Sequence, residues 1–87
     1  FVYNDVMAAG VLDGLNDLGL RVPRDVAVVG YDNSVANYTR PKLTTMDLFK
    51  EQMVDEAMDL LFRRIAGEEF APRHEQILPQ LVIRESS

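Results

Sequence analysis

The chain has no cysteine, no tryptophan and a single histidine, and its nine basic residues face fourteen acidic ones among 87. Without cysteine there is no disulfide framework and no thiolate metal site, a composition that fits a reducing, cytoplasmic setting. His74 has no second histidine to share a metal with and no nucleophile nearby to activate, and the chain carries no glycine-rich phosphate loop. A net charge of −5 opposes the cationic contacts through which proteins hold phosphate backbones. The basic residues are also scattered, with only Arg63 and Arg64 adjacent, so this segment is not expected to touch DNA itself. No apolar run approaches the ~18 residues that a membrane-crossing helix needs, and no signal peptide is recognisable. The expectation is a binding module with no catalytic residues, no metal, no cofactor and no membrane partner.

What remains is 47% hydrophobic, enough for a packed domain. The chain opens on the apolar run Phe1-Val2-Tyr3, read as the end of a buried strand and as a sign that the sequence is cut from a longer one. From Val6 to Leu18 the positions Ala8, Val11, Leu12, Leu15 and Leu18 recur at helical spacing. Asp5 reads as the N-cap of that helix. Gly19 fits the left-handed position past its end, and Pro23 bars any continuation. Gly14 inside the helix suggests close packing. Val26 to Tyr31 is an unbroken apolar run, the pattern of a strand covered on both faces of a parallel sheet. Residues 1–31 therefore form a strand–helix–strand unit, expected to be right-handed.

Leu43 to Met46 is short and β-prone. A second helix is expected from Lys50 to Ala66, stopped by Gly67, with Arg63 and Arg64 suited to its C-terminal end. Its apolar side lacks a partner within the sequence. Gln76 to Arg84 reads as a last strand interrupted by Pro79, hence an edge or a bend. Met7, Met46, Met53 and Met58 fall at core-like positions.

In an open parallel sheet, ligands gather beyond the carboxyl ends of the strands. Asn4-Asp5 and Asp32-Asn33-Ser34 lie there. A carboxylate accepts from two hydroxyls and an Asn amide both donates and accepts, which suits a polyol. Tyr31 and Tyr38 could offer the flat apolar surface a sugar ring stacks on. Each also has a plainer reading. Asp5 serves as a cap, Asn4 and Asp32 as turn residues, Asn33 and Ser34 as turn chemistry, and Tyr38 as an interface residue.

Asn4-Asp5-Val6-Met7-Ala8-Ala9-Gly10, the first of four such blocks, resembles the N-D-x-M-A-x-G motif of the LacI/GalR family of transcriptional regulators. Gly19-Leu20-Arg21-Val22-Pro23-Arg24-Asp25-Val26-Ala27-Val28-Val29-Gly30-Tyr31-Asp32-Asn33 resembles its G-L-x-V-P-x-D-V-x-V-V-G-[FY]-D-[DN]. Pro41-Lys42-Leu43-Thr44-Thr45-Met46 is similar to P-P-L-T-T-[VI], and Leu78-Pro79-Gln80-Leu81-Val82-Ile83-Arg84-Glu85-Ser86 to L-P-x-x-L-[VI]-x-R-[ED]-S. The blocks follow in family order and cover nearly the whole chain.

The resemblance implies an α/β, parallel-sheet fold of the periplasmic-binding-protein-like type I class, of which this chain is a partial piece. Residues 1–46 and 74–87 would belong to the C-terminal lobe, and the helix over 50–66 to the N-terminal lobe. An effector would lie in the cleft between lobes, held by Asn4 and Asp32, which in the family bond sugar hydroxyls or nucleobase groups. Tyr31, Tyr38, Phe49 and Lys50 are further pocket or interface candidates. Lys50 stands where some members carry a pocket aromatic, and Phe49 replaces a common proline. The first helix and the segment around Tyr38 would lie near a homodimer interface. DNA would be met only by a helix-turn-helix upstream of this chain. Two rivals compete: a secreted sugar-binding protein that serves an ABC transporter, and an enzyme or receiver-like module using Asp32 as phosphoacceptor.

Overall fold

The computed structural model describes residues 1–87, which divide into two compact units, one of Phe1–Leu48 with Pro79–Ser87 and one of Phe49–Leu78. The first unit begins with helix α1, Asp5–Asp17, within a residue of the span its periodicity predicts. Its end follows the glycine signal. Gly19 takes φ 71°, Gly19 N–H bonds Asn16 O at 2.9 Å and Leu20 N–H bonds Leu15 O at 2.9 Å. These are the two reversed bonds of a Schellman stop. Beyond it, Arg21 clasps Asp25 through Nε at 2.9 Å and Nη2 at 3.0 Å. The Arg21 guanidinium lowers the Asp25 carboxyl below its ordinary pKa. What this exposed pair contributes is therefore present at neutral pH and fades as pH falls through that lowered value.

The start of α1 corrects the sequence reading. Asn4, not Asp5, is the N-cap, with extended backbone and its side-chain oxygen accepting from Met7 N–H at 2.8 Å. Asn and Asp cap about equally well, so local sequence cannot choose between adjacent ones. Asp5 becomes the first helical residue, and it is fully buried.

Ala8 and Leu12 of α1 pack with Val28, Ala36 and Leu43 into the core, with Val2, Leu15 and Val22 at its margin. The strand region is more ragged than expected. Phe1–Tyr3 and Val26–Tyr31 form no extended ladder, only bonds such as Val2 N–H to Val29 O at 2.8 Å and a parallel bridge between Val29 and Thr44. Gly30 N–H then meets Thr44 O at 2.9 Å and Asp32 N–H meets Met46 O at 3.0 Å. The 28–32 segment thus lies between residues 1–5 and residues 44–46, parallel to both. The run from Val26 to Tyr31 is not covered on both faces throughout, since Val28 and Gly30 are buried while Val26 and Ala27 are exposed.

Strand β1, Thr45–Asp47, pairs with β2, Gln80–Val82, in antiparallel register. The last strand is thus shorter than Gln76–Arg84 and begins just after Pro79, where no ladder N–H is lost. Ser86 closes this unit from within. Its N–H reaches Lys42 O at 3.0 Å and its carbonyl accepts from Val28 N–H at 2.8 Å. Its hydroxyl bonds Val28 O at 2.6 Å and accepts from Thr44 N–H at 2.8 Å.

The second unit is built on helix α2, Lys50–Ile65, ended by Gly67 at φ 87°. Arg63 bonds Glu68 at 2.6 Å, and the Arg63 and Arg64 guanidinium carbons lie 5.0 and 4.5 Å from the Phe70 ring centre. No residue of α2 is buried. The methionines are not core residues either, since Met7, Met53 and Met58 are exposed and Met46 is half-buried. No helix is long and apolar enough to cross a membrane.

Candidate functional site

The site is assembled where residues 4–5 and 31–34 meet. Asp5 N–H donates to Tyr31 O at 3.0 Å, so Asn4 and Asp32 flank a directly bonded pair on adjoining chain segments. Beneath them lies the buried Asp5 carboxylate. Its Oδ1 accepts from the Thr45 hydroxyl at 2.6 Å and its Oδ2 from Ser34 N–H at 2.9 Å. A buried carboxylate requires such donors. Ser34 N–H is shared, reaching Asp32 Oδ1 at 3.0 Å as well.

The hydrogen bonds already made define what each candidate can still offer. Asn4 Oδ1 is committed to the cap, which leaves Nδ2 as a donor with no partner in the chain. Asp32 Oδ1 is committed to the turn, which leaves Oδ2 as an acceptor with no partner in the chain. A hydroxyl accepts from the first and donates to the second, so this pair is matched to vicinal hydroxyls or to a ring amide. Both residues are half-buried.

The other candidates lie in different places. Tyr31 is half-buried and stacks edge-on with Phe1 at a centroid distance of 6.5 Å. Tyr38 is 83% exposed and borders a depression of about 510 Å³ formed with Val6, Ala9, Leu12 and Asp13 of α1. Phe49 precedes α2 with left-handed backbone and Lys50 begins that helix, both in the second unit. No group of three or more His, Asp or Glu side chains gathers as a metal set.

Sequence reasoning passed over four residues that hold the site. Asp5 read as a cap, and Asn33 as turn chemistry. Thr45 and Arg84 carried no assignment, although both stand in motif blocks, which was the one available signal. Arg84 Nη2 donates to Asn33 Oδ1 and Nη1 to Leu43 O, each at 2.9 Å.

With this geometry in view, comparison with known proteins is decisive. The periplasmic binding protein-like domain family matches residues 1–87. The chain belongs to that family. Within it the relatives are LacI-type regulators. The HTH-type transcriptional repressor PurR of Vibrio vulnificus is 40% identical over 87 residues, covering 99% of this chain and 26% of that protein. A LacI-type transcription regulator of Bifidobacterium animalis superposes with a TM-score of 0.89 at 44% identity, over 95% of this chain and 30% of that one. The transcriptional regulator CelR in complex with cellobiose gives a TM-score of 0.90 at 41% identity, over 98% and 26%. This LacI-type, periplasmic-binding-protein-like segment therefore spans about a quarter of the length of the curated relative.

Proposed function

We propose that this chain is the effector-sensing part of a sugar-responsive, cytoplasmic transcriptional repressor. Asn4 Nδ2 and Asp32 Oδ2 hold the effector's hydroxyls, and DNA is bound by a helix-turn-helix elsewhere in the intact protein. The observation that carries this reading is the matched donor and acceptor left open on adjoining segments. The cellobiose complex of a 41% identical regulator supports a sugar. The two-lobe assignment, with residues 1–46 and 74–87 in one lobe and the 50–66 helix in the other, belongs to the same proposal. An effector in the cleft then shifts the lobe equilibrium by its differential affinity for two states, and this alters operator binding. The transporter-delivery alternative is not favoured by relatives that are transcription regulators.

A thermal-shift screen of the intact protein against sugars, sugar phosphates and purines tests the proposal. A compound at a hundred times its Kd stabilises by about 2.7 kcal/mol, and its effect on operator binding is then read by gel shift. A screen with no shift, or a hit that leaves operator affinity unchanged, counts against it.

The homodimer belongs to this proposal too. Val6, Met7 and Val11 of α1 are exposed, as is Tyr38, which shares a depression with Val6, apolar surface of the kind that pairs copies. Tyr38→Asp is expected to move the intact protein toward monomer in sedimentation velocity. An unchanged dimer would place the interface elsewhere.

A further inference from the structure

The Asp32–Ser34 turn needs external support. Asp32 takes φ 97° and Asn33 φ 49°. Asn accepts the left-handed region readily, but 97° lies beyond the narrow range open to side-chain-bearing residues. Such backbone persists only where the surroundings determine it. Three consecutive N–H groups are tied down here. Asp32 N–H bonds Met46 O at 3.0 Å, Asn33 N–H reaches Thr45 Oγ1 at 3.3 Å, and Ser34 N–H is shared by two carboxylates.

The middle residue makes the widest connection. Asn33 Oδ1 accepts from Arg84 Nη2 at 2.9 Å, and its Nδ2 donates to Asp47 Oδ2 at 3.0 Å. An amide between a guanidinium and a carboxylate can sit only one way round, because the first only donates and the second only accepts. Asp47 closes β1 and Arg84 follows β2, so one side chain ties the turn to two strands distant in sequence.

We propose that Asn33 is a positioning residue. Its bridge between Arg84 and Asp47 holds the turn so that Asp32 keeps Oδ1 on Ser34 N–H and Oδ2 available to the effector. The proposal rests on reading Asp32 as an effector contact. N33D keeps an acceptor for Arg84 but sets a second carboxylate against Asp47, and like charges repel. Adding D47N restores a donor–acceptor pair with its direction reversed.

The test is hydrogen exchange on the intact protein, followed over residues 31–36 in wild type, N33D, D47N and N33D/D47N. Calorimetric titration with cellobiose runs alongside. N33D is expected to speed exchange of the turn amides about tenfold with α1 exchange unchanged, and to weaken cellobiose about tenfold. The double variant is expected to regain most of both. Wild-type exchange in N33D, or no recovery in N33D/D47N, overturns the positioning role. Altered and rescued exchange with unchanged cellobiose affinity upholds the bridge and overturns its link to the effector. A wild type that ignores cellobiose counts against the sugar reading alone, and the exchange result then decides the role of Asn33.

Discussion

Gly30→Ala is expected to destabilise the intact protein by about 3 kcal/mol, the upper end of the usual cost of overpacking a core. A Cβ at Gly30 would collide with Asp5 Oδ1 and lie 2.8 Å from Leu43 Cδ2 and 3.4 Å from the Asp5 backbone. Neither neighbour has freedom to withdraw. Leu43 is fully buried in the core, and the Asp5 carboxylate is fixed by Thr45 and Ser34. The matched control is Gly14→Ala, where nothing lies within 4 Å of the new Cβ. There the gain in helix propensity should raise stability by about 1 kcal/mol. Urea denaturation of both variants checks the pair, and equal midpoints would show that the approach of Gly30 to Asp5 does not matter.

Asp5→Ala is expected to cost a comparable amount, about 3 kcal/mol. The buried Thr45 hydroxyl loses its acceptor, an orphaned donor that costs ~1–3 kcal/mol, and Ser34 N–H is left with Asp32 Oδ1 alone. The negative charge in the first turn of α1 also goes, a smaller loss of ~0.3–1 kcal/mol. Asp5→Asn should be milder, at about 1 kcal/mol, because one amide oxygen can still accept from one of the two donors. Denaturation midpoints in the order wild type, Asp5→Asn, Asp5→Ala are the expected result. An Asp5→Ala protein as stable as wild type would mean the buried carboxylate holds nothing.

These two substitutions show where sequence reading reached its end. Both helices and their stops were legible, because the signals are local: apolar spacing in α1, and Gly19 and Gly67 in the left-handed position their termini require. The family was legible from four motif blocks. The clusters Asn4-Asp5 and Asp32-Asn33-Ser34 were legible because polar residues follow apolar runs, and the family resemblance singled out Asn4 and Asp32 among them. What Asp5 does was hidden, since its partners lie 29 and 40 positions away and either neighbour could have served as the cap. Asn33 read as a turn residue for a sound reason, its left-handed backbone, yet its bridge depends on Arg84 some 51 positions later. Apolar content misled at the methionines, because helical spacing says which residues share a side but not whether anything covers it, whereas the uncovered apolar side of α2 was expected.

The central claim is that the open amide of Asn4 and the open oxygen of Asp32 hold the effector. Calorimetric titration of the intact protein with the strongest compound from the screen, in wild type, Asn4→Asp and Asp32→Ala, tests it most directly. Asp at position 4 caps α1 as well as Asn does but offers no donor. The account therefore predicts affinity at least about tenfold weaker in both variants, with the thermal midpoint of Asn4→Asp held at the wild-type value. Undiminished affinity in both variants would contradict it.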